Sequence, residues 1–134
     1  MYVKYSPETR FRSFVENEYA RLWIQNRILF FEYKSGVQIT LEVARKVVAD
    51  RVALQNGRAF PILCDISGVL GSEKAARDYL SLSGSVLTRA ISFLVAPTVP
   101  LAILRFYLEK NKPPIPTAHF SDKAHAIKFL EPYL

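Results

Sequence analysis

The sequence has little of the material from which metal and redox sites are built. It contains one cysteine, Cys64, and two histidines, His119 and His125. A single cysteine cannot form an internal disulfide, which favours a reducing compartment. Cys64 lies inside an apolar run, where a thiol is typically a core residue rather than a nucleophile. The histidines have no cysteine or carboxylates beside them at metal-ligand spacing. We therefore expect a cytoplasmic protein without metal or other cofactor.

Long apolar runs and glycine-rich loops are also missing. No stretch approaches the roughly 18 apolar residues of a membrane-spanning helix, and the first residues lack the apolar segment of a signal peptide. The five glycines are dispersed, so neither a GxxxxGKS nor a GxGxxG phosphate loop occurs. A GxSxG turn, which would expose a serine nucleophile, is absent as well. We expect no membrane span, no nucleotide site and no enzymatic activity.

The charge is mildly basic and dispersed. Eighteen Lys and Arg residues against twelve Asp and Glu residues give a net charge of +6. Specific nucleic-acid binding requires basic residues clustered on one face, whereas nearly every base here has an acid within a few positions. The densest basic group, Arg45, Lys46 and Arg51, is interpreted as the solvated face of a helix. We expect no specific nucleic-acid partner.

What the chain does have is enough apolar material for one folded domain. Half of its 134 residues are hydrophobic and 13% are aromatic, and domains of this length are typically single. Residues 1–10 show no periodicity and are expected to form a loose arm. Residues 11–134 are expected to form one domain.

Periodicity and capping residues predict an alternating α/β chain. Asn26-Arg27 is expected to turn an antiparallel hairpin, and Thr40, Ser72 and Ser121 are expected to cap helices. Strands are predicted at 19–25, 28–34, 60–65, 89–96 and 117–120, and helices at 41–56, 73–83, 101–110 and 122–133. The resulting order, β-β-α-β-α-β-α-β-α, predicts a mixed sheet with helices packed against it, so the fold class is α/β.

These elements are expected to share one buried core. Its predicted members are Leu41, Ala44, Val47, Val48, Ile62, Leu63, Ile91, Phe93 and Ile127. The aromatic residues of the hairpin, Trp23, Phe30, Phe31 and Tyr33, are interpreted as packing residues rather than a ligand platform. Any aromatic surface left exposed on the hairpin would favour a homodimer.

The segment that follows the central strand is the most informative one. Its sequence Asp65-Ile66-Ser67-Gly68-Val69 resembles the D-S-S-G-L segment of STAS domains, the anti-sigma factor antagonist fold, with Ile66 in place of the first serine. The order of elements over 11–134 is also similar to that of STAS domains, and to STAS-like bacterial proteins without an assigned function. In STAS domains a partner kinase phosphorylates the second serine, whose position Ser67 occupies. The resemblance implies a regulatory module that binds another protein through Asp65, Ser67 and Gly68.

Three alternatives remain open at this stage. Asp65, Ser67 and Gly68 are also typical of a plain turn that ends a strand. The protein could instead carry a small molecule or lipid, as the related Sec14-like folds do. The pocket of such a carrier is expected to be lined by Leu101, Leu104, Tyr107 and Leu108. An enzyme would need Asp65 to act together with His119 or Arg77 across the strand ends.

Overall fold

Eight strands and three α-helices lie in the residues that the computed structural model describes, which are 13–96 and 113–134. The strands are β1 (Phe14–Glu16), β2 (Ala20–Gln25), β3 (Ile28–Tyr33), β4 (Val37–Ile39), β5 (Phe60–Asp65), β6 (Val69–Ser72), β7 (Thr88–Leu94) and β8 (Thr117–Phe120). The helices are α1 (Leu41–Gln55), α2 (Lys74–Leu82) and α3 (Lys123–Leu130). The predicted arm at 1–10 and the predicted helix at 101–110 lie outside the described residues. The mixed α/β class is confirmed.

Six strands form one mixed sheet in the order β1-β2-β3-β5-β7-β8. β1, β2 and β3 are antiparallel neighbours, whereas β3, β5, β7 and β8 run parallel. The predicted hairpin is present between β2 and β3. Its turn residues Asn26 and Arg27 both have positive φ, at 52° and 66°, as a two-residue turn with the twist of a hairpin requires. In this strand order β5 lies between β3 and β7 in the middle of the sheet. Its continuous apolar sequence is buried on both faces there.

The sequence pattern did not predict β1, β4 or β6. β4 and β6 form a separate parallel pair. Each has only three or four residues, too short to show a period of two. β6 also occupies residues that were expected to lead into a helix. The segment after the central strand therefore continues as a strand before α2 begins.

α1 begins and ends as the sequence predicts. The Thr40 hydroxyl accepts a hydrogen bond of 3.2 Å from the backbone N–H of Val43, which satisfies a first-turn donor that has no partner within the helix. At the other end, Asn56 and Gly57 have φ of 51° and 81°, a left-handed termination that glycine tolerates without strain.

The two other helices begin one residue later than predicted. Ser72 lies in β6, and the position before α2 is held by Glu73, whose side chain does not cap its own helix. α3 is capped by Asp122 rather than Ser121, through a 2.7 Å bond from the N–H of Ala124 to the Asp122 carboxylate. Serine and aspartate are about equally good capping residues, so the sequence alone does not choose between adjacent candidates.

The sheet is covered on both faces, so the described residues form two apolar clusters rather than the one core expected. α1 and α2 cover the cluster that contains Phe31, Ile62, Cys64 and Phe93. The cluster on the α3 face contains Ile28, Phe30, Leu63, Ala90, Ala126 and Leu130. Successive side chains of a strand point to opposite faces, which is why Ile62 and Leu63 belong to different clusters.

Most residues of the predicted core are buried. These are Ala44, Val47, Val48, Ile62, Leu63 and Phe93. Leu41, Ile91 and Ile127 are only half-buried. Leu41 is the first residue of α1, and Ile127 packs at the margin of the α3 cluster. Periodicity thus identifies the buried faces correctly, but it does not show where an element extends past the core.

Candidate functional site

β5 ends in a tight turn that contains the predicted site residues. The Asp65 carboxylate accepts a hydrogen bond of 2.9 Å from the backbone N–H of Ser67, an arrangement typical of an Asx turn. The N–H of Val69 donates to the carbonyl of Ile66 at 3.1 Å and leads the chain into β6. Ser67 is exposed, as predicted from its turn chemistry. The structure therefore brings Asp65 and Ser67 together and fixes the backbone that presents the hydroxyl.

Gly68 lies where this turn crosses the connection between β3 and β4. Its carbonyl accepts hydrogen bonds from the N–H groups of Gly36, at 2.8 Å, and Val37, at 3.2 Å. A Cβ atom at position 68 would lie 2.5 Å from the carbonyl oxygen of Lys34. Gly68 is therefore required by the close approach of two backbones.

An exposed leucine and a second exposed hydroxyl lie near Ser67. Leu70, three residues further along, is 75% exposed. Ser35 is also exposed, and its Cα is 3.0 Å from the position that a Cβ on Gly68 would occupy. We call Ser35, Ser67 and Leu70 the turn surface. It combines one exposed apolar side chain with two hydroxyls, on a backbone held by hydrogen bonds.

The residues of the enzyme hypothesis do not meet. Asp65 is in register with Leu94, whose side chain packs on the α3 face of the sheet. His119 is in register with Phe93, which packs on the opposite face, and Arg77 belongs to α2 on that same side. Because neighbouring residues in register point the same way, the sheet separates Asp65 from both proposed partners.

A cavity of about 530 Å³ lies on the α1 and α2 side of the sheet. Small-molecule sites in proteins typically measure about 300 to 1,000 Å³, so the volume is large enough for a ligand. The apolar wall includes Phe31, Ile39, Val47, Val48, Ile62, Ile66, Val69, Leu80, Ile91 and Phe93. The pocket residues predicted from the sequence, at 101–108, lie outside the described residues.

Arg51 is a buried cation in the wall of this cavity. It is 3% exposed. Its Nη1 donates to the side-chain oxygen of Gln55 and to the carbonyl of Val86, the latter at 2.9 Å, and its Nη2 donates to the carbonyl of Gly84 at 3.1 Å. These acceptors are all neutral, and within 13–96 and 113–134 no carboxylate forms an ion pair with Arg51. Burial lowers the pKa of this guanidinium to about 10.

The interpretation of Arg51 as part of a solvated helix face is therefore wrong, although it is correct for Arg45 and Lys46, which are exposed. Gln55, one turn after Arg51, is buried as well and donates to the carbonyl of Leu87 at 2.8 Å. Both side chains bind the connection between α2 and β7, more than thirty residues away. The local sequence around Arg51 carries no signal of these distant acceptors.

Arg77 is the second guanidinium in the described wall. Its Nη1 donates to the backbone carbonyl and the hydroxyl of Ser72, at 2.6 and 3.2 Å. Its Nε is buried and has no hydrogen-bond partner among the residues that the structure describes. A buried N–H without an acceptor is uncommon in folded proteins. The described wall thus contains two guanidinium groups and no carboxylate.

Cys64 also lines the cavity, from the middle of the sheet. Burial raises the pKa of its thiol far above the usual range, and the nearby Asp65 carboxylate adds to the effect. The thiolate, which is the reactive form of cysteine, is therefore disfavoured. Cys64 behaves as a core residue, as the sequence suggests.

Within residues 13–96 and 113–134, no three His, Cys, Asp or Glu side chains are close enough together to hold a metal ion. None of the helices in those ranges has the length and apolar character that crossing a membrane requires.

The order and pairing of the strands define a SpoIIAA-like fold, the class to which STAS-like domains belong. A crystal structure from Shewanella loihica PV-4, described as an uncharacterized protein of the DUF3478 family with a SpoIIAA-like fold, matches with a TM-score of 0.62 and 16% sequence identity. The match covers 87% of this chain and 98% of that chain. The STAS-like architecture expected from the sequence is confirmed. Within this class, the chain belongs to the family described as Domain of unknown function DUF7793, which matches residues 22–134. No curated protein matches this chain.

Proposed function

We propose that the protein is a non-enzymatic regulatory module that binds another protein through the turn surface. The observation that carries the proposal is the exposed Ser67, whose backbone N–H is held by the Asp65 carboxylate at 2.9 Å. An ordered turn loses little conformational entropy when a partner binds it. The separation of Asp65 from His119 and Arg77 supports a role without catalysis. The proposal places the protein in the cytoplasm, with no specific nucleic-acid partner.

Phosphorylation of Ser67 is the switch that this proposal includes. A phosphate adds roughly two negative charges at neutral pH. At Ser67 these charges would lie beside the Asp65 carboxylate and three residues before the exposed Leu70. Like-charge repulsion and the cost of desolvating the phosphate would then weaken an apolar contact with the partner. The phosphorylated form is the released form in this scheme.

Affinity capture from the native cell tests the switch. Wild type, Ser67→Asp and Ser121→Asp are compared, since Ser121 is also exposed, follows β8 at the same edge of the sheet and undergoes the same change in charge. We expect Ser67→Asp to lose a stoichiometric partner that wild type and Ser121→Asp retain, with equal melting temperatures for all three. Equal recovery of the partner by all three proteins would refute the switch. Turnover of a substrate by wild type would refute the non-enzymatic role.

Mass spectrometry and light scattering address the remaining parts of the proposal. Endogenous protein is expected to carry phosphate on the peptide that contains Ser67. If the partner is a second copy of the chain, the purified protein will have twice the monomer mass in solution. A monomer that captures a different protein supports a heterologous partner.

Binding of a small molecule or lipid is the second candidate function. It is favoured by one observation, the largely apolar cavity of about 530 Å³ between the helices α1 and α2 and the sheet. Well-packed domains contain few voids larger than a water molecule, so a space of this size is suited to a ligand. This function is compatible with the first, because the turn surface and the cavity are formed by different side chains except for Leu70.

A further inference from the structure

The charges in the cavity wall indicate the class of ligand. The described wall includes the guanidinium groups of Arg51 and Arg77 and no acidic side chain. Burying a charge is costly unless an opposite charge or strong hydrogen bonds compensate for it. Arg51 is 3% exposed and is bonded only to neutral acceptors in the described part of the chain. An anion in the cavity would supply the missing opposite charge.

Arg77 offers the donors that such an anion needs. One of its terminal nitrogens is engaged by Ser72, at 2.6 and 3.2 Å. Its Nε is buried and finds no hydrogen-bond partner within 13–96 and 113–134. In a guanidinium, Nε and the neighbouring terminal nitrogen form a parallel pair of donors that fits a carboxylate or a phosphate. The orphan Nε therefore belongs to an edge of Arg77 that is suited to two-point recognition of an anion.

The remainder of the wall is suited to an apolar chain. Phe31, Ile62 and Phe93 line it from the sheet, Val47 from α1 and Leu80 from α2. Burial of apolar surface contributes roughly 25 cal/mol per Å², whereas a small hydrophilic anion would leave this wall without contacts. The combination of two cations with an apolar wall matches a molecule that has an anionic head and a hydrocarbon chain.

We infer that the cavity binds a single-chain amphiphile with an anionic head, either a carboxylate or a phosphate monoester. Arg77 holds the head through its Nε edge, and Arg51 provides a second positive charge from α1. The hydrocarbon chain lies against the apolar wall of the sheet and helices. This inference rests on the ligand-binding function proposed above and is independent of the switch at Ser67.

Calorimetric titration of the whole protein tests the inference with three ligands of equal chain length. These are dodecanoate, dodecyl phosphate and dodecan-1-ol, each kept below the concentration at which it self-associates. We expect the two anions to bind about tenfold more tightly than the alcohol, or better, since a charge-assisted pair of hydrogen bonds is stronger than a neutral one. The tighter of the two anions identifies the preferred head group.

Two variants locate the anion site. Arg77→Gln is expected to weaken binding of the anions about tenfold and to leave binding of dodecan-1-ol unchanged. Lys123→Gln removes the same charge from α3, where Lys123 lies over the ring of Phe30 on the other face of the sheet, and is expected to bind all three ligands as wild type does. If Arg77→Gln does not fold, Arg77→Lys replaces it, and a lysine is expected to bind the anions less tightly because it lacks the two-donor edge.

The outcomes distinguish the inference about the anionic head group from the ligand-binding function itself. If dodecan-1-ol binds as tightly as the anions to wild type, or if the Arg77 variants keep full affinity for the anions, the cavity binds apolar chains but the inference about the head group is wrong. If none of the three ligands binds wild type, both the inference and the ligand-binding function are wrong. The comparison of ligands on wild type decides the question of charge whether or not a variant folds.

Discussion

The carboxylate of Glu73 accepts a hydrogen bond of 3.0 Å from the backbone N–H of Leu41, so the residue before α2 caps the first turn of α1. The backbone N–H of Glu73 donates in turn to the carbonyl of Ile39, also at 3.0 Å. The α1 N-terminus is thereby joined to the end of the β4 and β6 pair. The parallel pairing of β4 with β6 therefore brings Glu73 next to Leu41, which is 32 residues away in the sequence.

Replacing Glu73 by alanine is expected to destabilise the protein by about 0.5 to 2 kcal/mol, the usual effect of losing a capping side chain. Glu42→Ala is the matched control, because Glu42 lies in the same first turn and carries the same charge. It should cost less, since the capping hydrogen bond that Glu73 makes to the Leu41 N–H stays in place and Glu42 contributes through longer-range interactions, chiefly with the helix dipole. Urea titrations measure both changes, and equal losses in the two variants would mean that charge rather than the hydrogen bond matters.

Gly68→Ala is expected to cost about 1 to 3 kcal/mol, because a methyl group 2.5 Å from the Lys34 carbonyl forces two backbones apart. Gly84→Ala provides the comparison, since a Cβ there meets the Leu80 side chain at an ordinary 3.5 Å. Thermal unfolding followed by circular dichroism gives the two differences. A Gly68→Ala protein as stable as Gly84→Ala would show that the turn yields easily.

Leu63→Ala should lower the free energy of unfolding by about 2 to 5 kcal/mol, through lost burial and the cavity left behind. The Leu63 side chain is only 3% exposed and packs on the α3 face. Leu70→Ala removes the same atoms from a position that is 75% exposed and should change stability by less than about 0.5 kcal/mol. The prediction fails if denaturant titration gives the two variants similar stabilities.

Cys64 is expected to react slowly with an aromatic disulfide reagent in the native protein and rapidly in concentrated urea. Burial both blocks access to the thiol and raises its pKa, so little thiolate is present at neutral or mildly alkaline pH. Absorbance of the released thiol follows the reaction. Native protein that reacts as fast as free cysteine would contradict the buried position.

The Asp122 cap should make part of the stability depend on pH. The N–H of Ala124 stabilises the ionised carboxylate and lowers the Asp122 pKa, and His125, at 3.1 Å, adds to this. A folded-state pKa below the unfolded value, about 3.9, gives a contribution that is present above pH 4 and is lost as the pH falls through the folded-state pKa.

Asp122→Asn keeps a capping side chain but cannot ionise. The stability difference between wild type and this variant should therefore be larger at pH 7 than at pH 3, as measured by urea titration at both. A difference that does not change with pH would assign the whole effect to the hydrogen bond.

The sequence predicts the fold well wherever a pattern is long enough. β5 and α1 show clear apolar periodicities, and the caps at Thr40 and Gly57 mark where α1 begins and ends. The short strands β4 and β6, which among the described strands pair only with each other, leave no such pattern. They pair beside Gly68, where the turn after β5 packs against the backbone of Lys34. A contact between segments so far apart in the sequence leaves no local pattern.

Some features of the candidate site could likewise be predicted from the sequence and others could not. Exposure of Ser67 follows from local turn chemistry and could be predicted. Burial of Arg51 could not, because its hydrogen-bond acceptors at Gly84 and Val86 lie more than thirty residues away. The cationic character of the cavity wall also combines residues from separate helices, Arg51 and Arg77, which no window of sequence contains together.

The hydrogen bonds of Arg51 and Gln55 to the connection between α2 and β7 have an evolutionary consequence. Loops usually tolerate insertions and deletions because few contacts depend on their exact length. In this loop the carbonyls of Gly84, Val86 and Leu87 are each matched to a side chain of the last turns of α1. Changing the loop length would remove the acceptors that this loop supplies, which are two for the buried Arg51 guanidinium and one for the buried Gln55 amide. Family members should therefore keep the length of this loop fixed, and any that change it should also have replaced Arg51 and Gln55.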